Sequence, residues 1–531
     1  MKIWNGWGDK TVRFDLPPKA HDLLRKLIGE GKGIEDYPLG KFLTRVPATP
    51  LPHHPLISTN PKDRLDHSHG QSLPDWVALR GGILRRFTDG VALPGTVEEV
   101  QALLDFAREH QIVVIPYGGG TSVVGHLEVP QEDRPVLSLS LERLNHLITL
   151  DTYSMLGTFE GGVRGPELEA QLRARGFTLG HFPQSFEYSS LGGWVVTRSS
   201  GQESMYYGRI EQLFAGGEVL TPKGAMSLYP FPASAAGPDL RQLVLGSEGR
   251  LGILTKVTVR ISPLPERDDI YGIFFPSWDS GIEAVRDLSC SRMPISMIRL
   301  SNPKETETSL AIAGHEGQVS LLKRYLRLRR ISMNEACACL IGFIGSPYIV
   351  RGTKREAFSI ISRHKGVTVG RAFGEVWKKY RFRAPYLRNS LWALGYAVDT
   401  LETSVTWDKV TSTMKAIEKA LGNALAQWNE RVQVFSHLSH VYPTGSSIYT
   451  TFVFRLADTP EETLMRWKTL KGYGSRAIVE AGGTISHQHG IGQDHKSYMQ
   501  SEKGEVGMGI LKQLCSHLDP DGRMNPQKLI P

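Results

Sequence analysis

The sequence predicts an α+β protein built from more than one domain, and three observations carry that expectation. Its 531 residues exceed the roughly 250–300 at which a single hydrophobic core stops growing. Helical and strand patterns are mixed along the chain without any internal repeat. A glycine loop near residue 118 lies between two strand patterns rather than between a strand and a helix. With 40% hydrophobic and 22% charged residues, the composition suits a globular protein with a substantial core and excludes a disordered or fibrous chain.

Residues 1–80 are rich in Pro and His, with Pro17-Pro18, Pro50, Pro52-His53-His54-Pro55 and Pro61. Extended segments and turns are expected there, as an extension wrapped around the body. From Thr96 the pattern sharpens. Thr96-Val97-Glu98-Glu99 is a capping box, and Val100, Leu103, Leu104 and Ala107 form one apolar helical stripe. A β-branched run, Ile112 to Ile115, leads into Pro116-Tyr117-Gly118-Gly119-Gly120-Thr121-Ser122. The alternation from Val136 to Leu141 then predicts a strand, which excludes the Rossmann and Walker phosphate loops, since both need a helix at that point. Strand patterns continue through Leu254 to Ile261, and Pro263-Leu264-Pro265 marks a boundary. Beyond it, strands mix with long amphipathic helices such as Trp407 to Trp428, before a last helix, Glu505 to Leu518, and a Pro-rich tail. The expected units are therefore 1–80, 81–265, 266–475 and 476–531.

No transmembrane span is expected, because the longest mainly apolar stretch, Ala336 to Val350, is short and broken by Gly342, Gly345 and Pro347. The N-terminal residues lack the basic, apolar and small-residue succession of an export signal. The four cysteines match neither a disulfide framework nor paired zinc motifs. A cytoplasmic location is expected, and the C-terminal Lys-Leu-Ile-Pro is not a peroxisomal address. A net charge of +8 favours anionic partners in general. The basic run Lys323 to Arg330 reads as a solvated helix face or as peripheral contact with the inner membrane surface. Nucleic acid is not an expected partner, since only charge would support it.

Three successive glycines expose several backbone N–H groups to one point and admit a bulky anion without Cβ clash. Thr121 and Ser122 add hydroxyl donors. Alone, three glycines read more readily as a mobile or tight turn. Other blocks accompany it: Gly180-His181-Phe182-Pro183-Gln184-Ser185, Ser190 to Gly201, Tyr207-Gly208-Arg209-Ile210-Glu211, Gly237-Pro238-Asp239 and Leu245 to Ile253. Together they resemble the vanillyl-alcohol-oxidase flavoprotein superfamily, and within it the alkylglycerone-phosphate synthase family, over roughly residues 75 to 530.

The resemblance implies a PCMH-type FAD-binding domain of two α/β subdomains, with a cap domain whose antiparallel sheet lies over the flavin. It implies FAD contacts from Pro116, Gly118, Gly119, Gly120, Thr121 and Ser122, and from Pro183 and Ser185. Further contacts would come from Ser190, Gly192, Gly193, Thr197, Ser200 and Gly201, from Tyr207 and Gly208, and from Glu248, Gly249, Gly252 and Ile253. The FAD is expected to be noncovalent, because the glycine loop holds no histidine.

On the reacting side, Ser296 to Leu300, Ala384 to Arg388, Gly445 to Tyr449 and Ser486 to Gly492 resemble the family's active-site blocks. The implied activity is exchange of the acyl group of acyl-dihydroxyacetone phosphate for a fatty alcohol through a flavin N5 adduct, a step of ether lipid synthesis. Arg299 and Arg388 could clamp the phosphate or a carboxylate in bidentate fashion. Tyr449 could move a proton at the carbon bearing the ester. His487 and His489 lie two apart, which in an extended segment puts both on one face toward the flavin. Gln488 stands where the family pattern has the middle histidine of three, and it can orient but not shuttle protons. Lacking a spaced carboxylate cluster, the histidines His487, His489 and His495 are assigned no metal. The alternative is an FAD-dependent dehydrogenase or oxidase of a 2-hydroxy acid or glycerol phosphate, with Arg388 binding the anion and a histidine as base. A homodimer is the expected assembly.

Overall fold

The structure is a computed structural model that describes residues 2–313 and 316–530. Extended segments and turns make up most of the first eighty residues, but four helices interrupt them, Pro18–Ile28, Leu39–Leu43, Pro61–Asp66 and Leu73–Arg80. The prolines start these helices instead of preventing them. Pro18 and Pro61 occupy the first helical position and Pro74 the second, where a fixed φ and a missing N–H cost nothing. This segment is tied to distant parts of the chain, with Asn389 bridging both backbone groups of Trp7 and the Tyr396 hydroxyl accepting from Gly31 N–H at 3.0 Å.

The helix expected from Thr96 spans Val97–Glu109, with the Thr96 hydroxyl accepting the Glu99 amide at 3.2 Å. The strand Val113–Tyr117 follows and pairs in parallel with Val136–Ser140, which in turn pairs in parallel with Gly90–Ala92. A second, antiparallel sheet has the order Leu147–Asp151, Leu156–Glu160, Ile253–Arg260, Phe214–Thr221, Gly224–Leu228. The glycine loop leaves the first sheet and faces the helix Leu191–Thr197 packed on the second.

Past Pro263, the strand Arg267–Phe275 enters an eight-stranded antiparallel sheet. Ile295–Ser301, Gln433–Leu438 and Gly445–Arg455 lie side by side within it, and Tyr396–Thr406 forms the edge beyond Gly445–Arg455. One face carries the helices Trp278–Cys290, Pro347–Arg363, Val410–Asn423 and Pro460–Glu480, whose apolar stripes bury Ile448, Phe452, Leu401 and Leu438. Strand side chains alternate between faces, so Tyr449, Thr451 and Val453 point the other way, as do Gln433, Phe435 and His437. That second face is a wall of the cavity described below. The amphipathic segment Trp407 to Trp428 is a helix, Val410–Asn423, with a short 3₁₀ turn at either end.

The last helix, Met499–Leu518, breaks at Gly504, whose φ is +66°. The tail then returns to the first sheet. Val114 donates to the Arg523 carbonyl at 2.8 Å, and Asn525 donates to the Val114 carbonyl at 2.9 Å. Among the described residues no helix is long and apolar enough to cross a membrane.

Candidate active site

A cavity of about 520 Å³ lies between the two smaller sheets and the open face of the large one. One arm is lined by the glycine loop. No described residue accepts a hydrogen bond from the amides of Gly118 to Ser122, so a run of donors is left for a ligand. A side chain there would not fit, since a Cβ on Gly119 would run into the Tyr188 carbonyl and one on Gly118 into the Ser190 hydroxyl. Gly120, at φ +71°, lies in the left-handed region that favours glycine. Pro116, Thr121 and Ser122 line the same arm, as do Pro183, Ser185, Ser190, Gly192, Gly193, Thr197, Ser200, Glu248, Gly249 and Gly252. A donor-lined cradle too narrow for side chains fits the pyrophosphate of FAD.

Four residues expected in this set do not line the cavity. Gly201 lets Phe182 approach, Tyr207 packs against Gly180, Gly208 ends the helix Ser204–Tyr207 at φ +91°, and Ile253 is buried in the core. Their roles are in the walls. His126, which does line the arm, is engaged on both sides, with Ser122 Oγ 2.8 Å from Nδ1 and Glu248 Oε1 3.1 Å from Nε2. His181 is buried against Ser199 Oγ at 2.7 Å.

The centre of the cavity gathers Arg299, Arg388, Tyr449, Gln488 and His489. Arg388 projects from the helix Leu387–Ala393, lies 4.3 Å over the Trp76 ring and donates to the Gln71 carbonyl at 2.7 Å. Its Nη2 is buried without a partner among the described residues. Burial pulls the guanidinium down to about 10, against the opposing pull of Asp399, so it stays cationic at neutral pH and seeks an anion. Arg299 is less free, because its Nη2 donates to Glu305 Oε1 at 2.7 Å.

Tyr449 stacks on His437, ring centroids 5.0 Å apart, and meets His489 edge-on at 5.7 Å. Burial pushes its hydroxyl up to about 12, so it holds its proton at neutral pH, and it donates to Thr400 Oγ1 at 3.3 Å.

His487 and His489 do not share a face. The segment from Ser486 to Gly490 turns instead of running extended. His487 is drawn to Tyr442 and to Arg209, whose Nη1 lies 2.8 Å from Nε2 and whose Nη2 donates to the His487 carbonyl. Burial and Arg209 hold its pKa well below the usual range, and it does not line the cavity.

Among the polar residues that line it and were missed from sequence are Glu305, His437 and His440. His440 Nδ1 lies 3.2 Å from Ser200 Oγ, and burial lowers it to about 3. The alternation Gln433, Phe435, His437, Ser439, opposite Tyr449, is the signal that would have found this row. The other arm of the cavity is apolar, lined by Leu16, Ala20, Leu23, Leu24 and Leu27 from the N-terminal segment, with Ile312, Leu391 and Val453. The spacing of Ala20, Leu23, Leu24 and Leu27 is helical, a pattern masked in the sequence by the preceding Pro17-Pro18.

Residues 88–227 match the family described as FAD binding domain, and residues 264–529 match FAD linked oxidases, C-terminal domain. The chain is 31% identical to an alkyldihydroxyacetonephosphate synthase of Dictyostelium discoideum, across 99% of this chain and 93% of that one. It is 30% identical to one from Trypanosoma brucei brucei, across 99% and 92%. A solved alkyldihydroxyacetonephosphate synthase superposes with a TM-score of 0.84 at 25% identity over 99% of both chains. The chain therefore belongs to the alkyldihydroxyacetonephosphate synthase, or alkylglycerone-phosphate synthase, family of FAD-dependent enzymes of ether lipid synthesis.

Proposed function

We propose that the enzyme replaces the acyl group of acyl-dihydroxyacetone phosphate by a long-chain alcohol. The observation that carries this reading is the shape of one continuous cavity: a donor-lined arm for FAD, an apolar arm of leucines, and cationic and proton-bearing groups where they meet. Bound FAD supplies an electron-accepting ring to the junction. Arg388, with its unpartnered Nη2, binds the substrate phosphate, and Arg299 contributes a weaker share because Glu305 holds it. Tyr449, kept protonated, serves the carbon bearing the ester together with His489. Gln488 orients the loop that carries His489. The apolar arm takes the hydrocarbon chains.

FAD binding is noncovalent, in keeping with a glycine loop without histidine and with a His126 already engaged by Ser122 and Glu248. Acid precipitation should leave the yellow colour in the supernatant. A cytoplasmic enzyme touching the inner membrane surface fits the helix Glu316–Leu328, where Leu321 and Leu328 are exposed among Lys323, Arg324 and Arg327. We add a homodimeric assembly, measurable by light scattering.

The test is to purify the protein, record its visible spectrum and add acyl-dihydroxyacetone phosphate with and without hexadecanol. Ether product that depends on the alcohol, with the oxidised flavin spectrum recovered on adding the alcohol and no electron acceptor required, supports the exchange. Substrate-driven bleaching restored by an electron acceptor, without ether product, replaces it with the dehydrogenase.

A further inference from the structure

We infer that His437, oriented by Glu305, is the catalytic base that takes the hydroxyl proton of the incoming alcohol; this rests on the exchange reading above. Glu305 sits in the first turn of the helix Pro303–Ile312, fixed there because Asn302 accepts its amide at 2.8 Å. Its Oε1 lies 2.9 Å from His437 Nδ1 and 2.7 Å from Arg299 Nη2. Burial pushes the Glu305 carboxyl up, but His437 and Arg299 together outweigh it and pull it to about 2. Arg299 Nη2 also lies 3.2 Å from Nδ1 but donates at 2.7 Å to Glu305 Oε1, so the nearer carboxylate accepts from Nδ1–H and the neutral ring carries its lone pair on Nε2. Among the described residues Nε2 has no hydrogen-bond partner, and His437 lines the cavity. Burial, then Arg299, lowers the imidazole below its usual pKa despite Glu305, which keeps it unprotonated at neutral pH.

Position separates this group from the other proton carriers. Along its strand the cavity-facing neighbour of His437 is Phe435, and Val453 and Ile312 continue the apolar arm beyond it. The helix of Glu305 runs the same way, from that carboxylate at the polar centre to Ile312 among the leucines. An alcohol lying with its chain in the apolar arm brings its hydroxyl to this boundary. Tyr449 holds its own proton there and cannot accept one. In the step itself the alcohol O–H bond breaks and the proton goes to Nε2. The freed oxygen pair forms the ether bond to the carbon from which the fatty acid leaves as carboxylate, taking the old C–O pair with it. The proton then passes to the departing acid or to water. No oxidant or reductant is consumed.

The experiment compares the parent holoenzyme with His437→Gln and Glu305→Gln, each checked for bound FAD by its visible spectrum. Ether formation is measured with hexadecanol and with a hexadecanol acidified by fluorines beside the carbinol. His437→Gln should lose about 10²–10⁴-fold with hexadecanol, the usual worth of a general base, and distinctly less with the fluorinated alcohol, which needs less help to lose its proton. It should also lose the acid limb of the pH–rate profile. Glu305→Gln should lose less and move that limb to lower pH, since the carboxylate raises the imidazole. Equal losses with both alcohols, or an unchanged pH profile, would overturn the base role. A parent that makes no ether from either alcohol would overturn the exchange reading and this proposal with it.

Discussion

Glu402 Oε1 accepts the backbone N–H of Gln488 at 2.6 Å and that of the adjacent His489 at 2.5 Å. Two residues on, Glu248 accepts the amides of Ile491 and Gly492 at 2.5 and 2.9 Å. The loop that carries His489 thus hangs between a carboxylate of the large sheet and one of the flavin-binding half. A hydrogen bond to a charged group is worth about 1.5–3 kcal/mol, so Glu402→Gln should lower turnover by roughly 10- to 100-fold while FAD stays bound. Steady-state kinetics beside a visible spectrum decide it. Unchanged turnover would mean that Glu248 alone positions the loop.

Arg388→Lys should raise the KM for the phosphorylated substrate by about 10-fold or more, because an ammonium cannot reproduce the guanidinium fork. The lost stacking on Trp76 adds to the effect. FAD affinity, measured by flavin fluorescence, should not change. Equal substrate affinity in the variant would remove Arg388 from the phosphate site.

Tyr449→Phe deletes one hydroxyl from a cavity-lining ring and should reduce turnover by about 10²–10⁴-fold with the flavin still bound. His489→Ala should lose as much. Gln488→Ala should lose far less, as expected for a residue that orients and carries no proton. Parallel single-turnover measurements rank the three, and a Gln488→Ala loss equal to that of His489→Ala would refute the ranking.

Asp494 is buried near Lys471, and burial raises its carboxyl to about 7 despite that lysine. The folded state therefore holds a proton that the unfolded chain releases near pH 4. Stability contributed in this way is full below pH 4 and is lost as pH rises toward about 7. Asp494→Asn removes the dependence, so the melting temperature of the variant relative to the parent should climb between pH 5 and pH 7.5. A constant difference across that range would show that the carboxyl is already ionised in the fold.

What could be read from sequence was what is local. The glycine loop declared itself because its chemistry resides in consecutive backbone amides, and the helix from Thr96 because its cap and stripe are contiguous. The N-terminal helices were hidden by prolines that look like breakers and act as starters. His487 was misplaced because the group that turns it, Arg209, lies 278 positions away. Glu305 gave no signal of its own, and the alternation that carries His437 acquires meaning only when the fold brings the helix of Glu305 beside that strand. Arg299 and Tyr449 came through resemblance, and the structure adds that both contact the same imidazole.

The return of the tail to Val114 bears on how the protein is made. The first sheet of the flavin-binding half is not finished by its own neighbours in sequence: it awaits Met524 and Asn525, and Asn525 also donates to the carbonyls of His126 and Glu248 on the rim of the FAD arm. While the ribosome is still translating, the glycine loop can emerge and fold, yet its far border is missing until almost the entire chain has been released. Cofactor capture should therefore be a late, post-translational event, and a nascent chain arrested before residue 523 should leave FAD in solution.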